Sequence, residues 1–495
     1  MNETVIHDFL PYSEAIRWTL QKDYFEQRGP EAWRQRDIPF RVTSNSLAAK
    51  QNVLMVLDSI SAQQHIGSLN KSDAIVILEL GCGLGLFAYH FLRQFELICQ
   101  EQNRSDFSRL QYVATDYVQS NVEAITQYPH MQLYLKSGHL QVGQIDSARA
   151  QYIHRYCTQT HTFTESQPLP LLSAVIANYM HCCLPGRIIG KITNVWHEKR
   201  VQSTIALQEN EVQSGSSLEQ ILRKPNAIDR VKEHGQWIPI AINDVCINAA
   251  HQAALNDITT HQANTSFISS EASLINITEI SQILHPMAIY LIHDKACVNQ
   301  NAHTFNDIYD HTNHGNSTAY MVNFPLLLTY ATQIGLNTYL TRSPSYTVQT
   351  LMIQKGDSST CQDTFRLIFQ NFNLNQHMSD LFRLAHDCLA SRAFSLAAHL
   401  YEKFIDRGAE DPDVFLNLAK ALIALGDTHR AQEMITQGRH LDHFQLMNFD
   451  HLDGLVAHAQ GHKENALRYL KRALAQERDP NTATDIQTLI SVYNK

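Results

Sequence analysis

Paired cysteines are what this sequence most plainly lacks. Its nine cysteines contain no Cys-x-x-Cys pair and, apart from the neighbours Cys182 and Cys183, they are scattered, so neither a disulfide framework nor a structural zinc site is expected. No apolar run approaches the length of a membrane span, and the opening MNETVIHDFLPYSEAIRW has neither a basic start nor an apolar core of signal-peptide length. A soluble, cytoplasmic protein with no membrane partner is expected. Positive charge is also short: 39 lysines and arginines against 48 acidic residues leave a net charge of −9, which argues against a nucleic-acid partner held through its phosphates. Only 14 prolines and 19 glycines interrupt 495 residues that are 44% apolar, a composition for two or more folded cores.

What is present falls into two halves. From Asp73 to about Gly356, short β-rich runs (AIVILEL, QYVATD, LSAVIAN, MAIYLIHD, TVQTLMIQK) alternate with helical stretches, the order of an open, largely parallel α/β sheet. After QKGDSSTCQDT the β signal stops and the chain reads as helical to Lys495. There Ala397, Ala431 and Ala466 recur about every 34 residues, with Ala385, Ala419 and Gly454 each twelve positions earlier. Gly426 and Gly461 fall in the turns, and Pro412 and Pro480 close two units. This tail resembles the tetratricopeptide repeat, whose small residues let paired helices approach closely. The resemblance implies a protein or peptide partner held by the repeats.

The stretch DAIVILELGCGLGLF, Asp73 to Phe87, reads as a buried strand, a glycine turn and a helix. Its glycines, Gly81, Gly83 and Gly85, are spaced G-x-G-x-G and followed by Leu86, which departs from the dinucleotide pattern G-x-G-x-x-G. Glu79 ends the strand, and a carboxylate there would repel a pyrophosphate while suiting a cation. Strand, acid, glycines and helix together resemble motif I of the class I S-adenosylmethionine-dependent methyltransferases. That resemblance implies a Rossmann-like sheet binding S-adenosyl-L-methionine, with the glycines against the ligand and Glu79 toward its methionine portion. It also implies that Asp116, at the end of the next strand, meets the ribose hydroxyls and that Asp146, after the third, meets the adenine amino group. The 37 residues between Glu79 and Asp116 are a long gap that the insertion CQEQNRSDFSR would fill. Asp116 also reads as a helix N-cap, and Asp146 as turn chemistry.

Three further segments, IPFRVTSNSLAAKQ, VIANYMHCCLPG and STAYMVNFPLLLTYATQIGL, resemble the MidA-like methyltransferases, a group that includes a mitochondrial complex I assembly factor acting on a protein arginine. The fourth strand in that group ends N-E-x-x-D-x-x-P. Here Asn178 and Pro185 are kept, while Tyr179 and Cys182 replace the two acids. Without those carboxylates a guanidinium has nothing to hold it, so arginine is not the expected acceptor. Asn178 and Tyr179 remain as hydrogen-bonding candidates and His181 as a candidate base, with half-buried packing as the plain reading of Tyr179. Thr43, Asn45, His293, Asp294 and His314 are candidates to line the acceptor site. His303, Asp307, Asp310, His311 and His314 cluster in sequence, but methyl transfer needs no metal and none is assigned.

The expected organisation is an N-terminal helical cover over 1–72, a methyltransferase domain over 73–357 with a helical insertion at about 201–273, and a repeat domain over 375–495. The leading expectation is a methyltransferase acting on a protein docked by the repeats. A non-enzymatic scaffold that keeps the fold and a small-molecule methyltransferase are the alternatives.

Overall fold

A computed structural model describes residues 3–35, 37–147, 150, 152–157, 163–224, 227–260, 262–298, 311–341, 348–371, 373–477 and 479–493. The first strands are β1 (Glu3–Pro11), β2 (Ile75–Leu80), β3 (Leu110–Asp116), β4 (Leu140–Gln144), β5 (Tyr152–Cys157), β6 (Phe163–Pro168) and β7 (Leu172–Asn178). They are followed by β8 (Arg187–Ile192), β9 (Val195–Ala206), β10 (Val231–Pro239), β11 (Thr265–Ser269) and β12 (Leu284–Asp294). The short β13 (Ala296–Cys297), β14 (Thr312–His314), β15 (Ser317–Ala319) and β16 (Val322–Asn323) precede β17 (Asn337–Leu340) and β18 (Gln349–Gln354).

The main sheet has the order β17-β18-β12-β7-β2-β3-β4-β5-β6. Its centre is parallel, β4 to β3 to β2 to β7 to β12, and β18 runs antiparallel between β12 and β17. The chain steps outward from β2 to β3 to β4 and then returns to β7 on the other side of β2. The topological switch point therefore lies between β2 and β7, and the crevice beyond their C-terminal ends is where doubly wound sheets hold ligands. The central strands are apolar on both faces because both faces are covered. Ile75, Ile77, Tyr112 and Ile176 pack with Val53 and Phe91 from the helices Ser46–His65 and Leu86–Glu101. Val76, Leu78, Val113 and Val175 pack with Ile277 and Tyr330 from the helices Glu271–Ile283 and Phe324–Gln333.

Every strand read from the sequence is present, but two expectations need correction. Residues 1–72 are not wholly helical, because β1 opens the described chain, and 201–273 is not a helical insertion. β1, β9, β8 and β11 form a second, antiparallel sheet with β10 paired on β9. The strand VKEHGQWIP is mostly exposed or half-buried, so its ladder rather than an apolar face defines it, and charged and amide residues hid that signal.

Beyond β18 the chain is helical. Three hairpins, Leu374–Ala390 with Phe394–Ile405, Pro412–Ala424 with Thr428–Leu441, and Phe449–Ala459 with Lys463–Gln476, are closed by the helix Pro480–Tyr493. Ala385, Ala397, Ala419, Ala431 and Ala466 are fully buried, and a Cβ on Gly454 would lie 2.8 Å from the Leu470 side chain. The recurring small residues thus mark where helices touch. The acidic turn before Pro412 fastens this region to the sheet's helices. Asp411 accepts from the Ser46 N–H (3.1 Å) and Oγ (2.8 Å), and Arg93 donates twice to Glu410 (2.5 and 2.8 Å). Among the described residues no helix is long and apolar enough to cross a membrane.

Candidate functional site

The β2 turn leaves bare main chain at the mouth of the crevice. Gly83 has φ +55°, and a Cβ there would fall 2.7 Å from Cζ2 of Trp33. Gly85, at φ +88°, caps the helix Leu86–Glu101, and a Cβ would fall 3.0 Å from Ile125. Only glycine fits both the left-handed backbone and the space. The turn is tied to β3 by the Cys82 N–H donating to the Thr115 carbonyl (2.9 Å). It is tied again by Asp116, whose carboxylate accepts from the N–H of Gly83 (2.9 Å) and of Val118 (2.8 Å) and from the Asn121 amide (3.1 Å). Burial raises the Asp116 pKa and these donors oppose the rise. Asp116 is therefore a brace for the glycine turn as well as the start of the following helix. The Ile145 N–H donates to the Asp116 carbonyl (3.0 Å), which sets half-buried Asp146 next to the β3 tip.

Glu79 departs from expectation. Strand alternation places it on the same face as Ile75 and Ile77, beneath the helices, where it is fully buried and accepts from the Tyr112 hydroxyl (2.9 Å). Burial pushes it up to about 8, with the Tyr112 bond opposing and Asp116 adding to the rise. In the ligand-free protein near neutral pH the group keeps its proton. A standing negative charge beside the turn was the expectation, and desolvation removes it.

The neighbouring strand tips form the other half of the crevice. Leu80 of β2 pairs with Ala177, and Asn178 pairs with His293 of β12. Both polar atoms of the Asn178 amide are buried without a partner. Tyr179 follows at φ +50°, a conformation uncommon outside glycine, with its N–H donated to the His293 carbonyl (2.9 Å). Its ring packs against the core and burial pushes the phenol up. Thr43, Asn178 and His293 come together in one pocket with Asn52 and Thr350. The His293 Nε2 lies 2.8 Å from Asn52 Oδ1 and its Nδ1 2.9 Å from Thr350 Oγ1.

The other candidates are placed elsewhere. Asp294 turns away from this pocket to accept from the N–H of Cys182 (3.0 Å) and Lys295 (2.8 Å), anchoring the turn after β7, and burial pushes it up to about 7. His181 is sealed in the core with Nε2 2.9 Å from the Tyr290 hydroxyl, which itself donates to Asn276. Burial pushes His181 down to about 3 and leaves it facing core, so it does not present a base to an acceptor. Asn45 is the N-cap of Ser46–His65, accepting from the Ala48 N–H (2.8 Å), and its amide donates to the Arg41 and Val42 carbonyls and to Asn375. That makes it a structural joint rather than a substrate contact. His314 lies in the β14–β15 hairpin, whose Thr318 N–H donates to Gln21 of the helix Ile16–Arg28, and it is not brought to the Asn178 pocket. His303, Asp307 and Asp310 lie outside the described residues. Trp33, Tyr112, Asn52 and Thr350 are the residues that sequence reasoning missed. The alternation in QYVATD could have put Tyr112 on the face of Glu79; nothing local to Trp33 announces its contact with Gly83.

No protein-family model and no curated protein sequence matches the chain. Solved structures do. An uncharacterised Burkholderia thailandensis protein aligns with TM-score 0.43 at 10% identity, over 71% of this chain and 89% of that one. A structure of a Burkholderia thailandensis member of the same superfamily, bound to S-adenosylhomocysteine, aligns with TM-score 0.43 at 12% identity over 72% and 90%. Magnesium protoporphyrin IX methyltransferase of Synechocystis PCC 6803, also with S-adenosylhomocysteine, reaches TM-score 0.30 at 11% identity over 68% and 99%. Similarity this distant fixes no chemistry, and the sheet order stands on its own hydrogen-bonded pairings.

Proposed function

We propose that the chain is an S-adenosylmethionine-dependent methyltransferase whose donor lies across the Gly81 to Gly85 turn. The observation that carries this reading is a left-handed glycine turn at the switch point, with Asp116 beside it and Glu79 below. Two carboxyls and bare amides suit a ligand with an ammonium, a sulfonium and ribose hydroxyls. Asp116 would take the ribose, Asp146 is placed for the adenine end, and Glu79 supports the methionine end once a cation draws off its proton. When bound, this donor supplies an electrophilic methyl group. Trp33 stands on the face of Gly83, so its indole swings aside on binding.

The chain's own contribution to transfer is alignment. Asn178 and Tyr179 stand one strand over from the glycine turn, where an acceptor's hydrogen bonds would hold it in line. With His181 neutral and sealed, no base is assigned at that position. The helical region, read as tetratricopeptide repeats, supports a protein acceptor, because such stacks present a concave surface and this one is fastened to the helices that cover the sheet. A scaffold that keeps the fold without the chemistry is the second reading, favoured by Trp33 on Gly83 and by the buried proton of Glu79. Calorimetric titration with S-adenosylmethionine separates them. Saturable binding accompanied by proton release supports the methyltransferase reading, and no binding at millimolar ligand leaves the scaffold.

A further inference from the structure

We infer that the pocket between the tips of β7 and β12 and the start of the helix Leu374–Ala390 binds an uncharged primary carboxamide. The pocket opens to solvent and its cavity volume is about 30 Å³, a space on the scale of a carboxamide head rather than of a whole ligand, and its polar lining is built from amide and hydroxyl side chains around one histidine. Among the described residues no lysine, arginine, aspartate or glutamate lines it. His293 adds no charge because burial pushes its pKa down to about 3, and its partners then set the tautomer. The Asn52 amide nitrogen donates to the Ala48 carbonyl (2.9 Å), so Asn52 turns its Oδ1 to His293, and Nε2 must carry the hydrogen. Thr350 then donates to Nδ1. A guanidinium, ammonium or carboxylate brought here would leave water and find no counter-charge among the described lining residues.

The side-chain amides of Gln51 and Asn375 are already committed. Gln51 donates to the Ile368 carbonyl (3.0 Å) and accepts from the Asn375 N–H (3.1 Å). Asn375 donates to the Val42 carbonyl (2.7 Å) and accepts from Asn45 (2.9 Å). Asn178 differs: neither its Oδ1 nor its Nδ2 is engaged, and both are buried. One acceptor and one donor, held side by side in a plane, are matched at once by another primary amide, whose N–H and C=O have the same spacing. A lone carbonyl only accepts and would leave Oδ1 unpaired. The wall contributed by Asn375 comes from the helical region, so the site is complete only with that region docked.

Carboxamide binding stands on this geometry alone. Its meaning as the acceptor's seat rests on the proposed methyl transfer, since Asn178 neighbours the glycine turn. The test uses the full chain, saturation-transfer NMR and calorimetry. The probes are N-acetylglutamine methylamide, its glutamate and arginine counterparts, and nicotinamide as a small-molecule amide. Expected is binding of the glutamine probe, of nicotinamide or of both, with the charged probes weaker by at least about tenfold. The stronger of the two amides tells a polypeptide source from a metabolite source. Asn178→Asp, which keeps the shape and loses the donor, should weaken amide binding by at least about tenfold, with its fold checked by circular dichroism. Binding of glutamate or arginine as tight as glutamine, unchanged binding in the variant, or no amide binding at millimolar probe overturns the inference. Titration with S-adenosylmethionine is read separately, so failure of the donor site is not confused with failure of this pocket.

Discussion

The two halves of the crevice satisfy their polar groups in opposite ways. At the β2 and β3 tips every functional group has a protein partner: Glu79 has Tyr112, Asp116 has three donors, and the Gly83 face has Trp33. At the β7 tip the Asn178 amide has none. The first half is held in shape at the cost of being occupied, so a ligand there must displace an indole and reset a buried proton. The second half is held in shape by committed neighbours and keeps one amide idle, so a ligand there has a bond to gain without breaking one.

The largest effect is expected at Gly83. Gly83→Ala places a Cβ in a left-handed conformation, costing about 1–2 kcal/mol, and against the Trp33 ring. S-adenosylmethionine binding should disappear in calorimetry while the glutamine probe still binds near Asn178. A variant that binds the donor normally would remove the turn from the account.

Glu79→Gln comes next, and its sign follows from the raised pKa. The folded protein holds a proton near pH 8 that the unfolded chain releases above about pH 4.5. The carboxyl's contribution is therefore fully present below about pH 4.5 and is lost as pH rises through 8. Wild type and variant should melt alike in acid and diverge toward pH 8 and above, the variant more stable, with about 1.4 kcal/mol per pKa unit as the ceiling. Donor binding should weaken in the same variant, because an amide cannot become a counter-charge. Parallel melting curves at all pH values would show that Glu79 is not sealed.

Asp411→Ala acts on the seam that completes the second half. It leaves the Ser46 N–H and hydroxyl without their acceptor, at a cost of about 1–3 kcal/mol. The thermal transition should broaden or split as the helical region releases first, and amide binding at Asn178 should weaken while donor binding persists. A smaller effect is expected of Asn45→Ala, about 1 kcal/mol from the lost N-cap with donor affinity unchanged. A large loss of methyl transfer at full stability would return Asn45 to the acceptor site.

Much of this architecture was legible locally. The apolar runs became β2, β3, β7, β12 and β18, and the small residues spaced by about 34 became helix contacts, because both signals are periodic and short in range. The antiparallel sheet was hidden since strands such as VKEHGQWIP are held by backbone ladders rather than by an apolar face. In the crevice, Gly83 was visible by its spacing in the turn and Asp116 as the acid that ends the next strand, despite the long gap from Glu79. The closure of Glu79 depends on Tyr112 and on covering helices, and the seat of His181 depends on Tyr290, far along the chain. The isolation of Asn178 is a property of all its neighbours together, which no single stretch of sequence can display.

A crystal structure of the protein with S-adenosylhomocysteine, alongside a soak with a dinucleotide, decides which ligand the glycine turn holds. The expected result is the thioether ligand across the Gly81 to Gly85 turn, its ribose at Asp116 and the Trp33 ring moved off Gly83. An indole still seated on Gly83 with the turn empty, or a diphosphate resting on that turn, would contradict it.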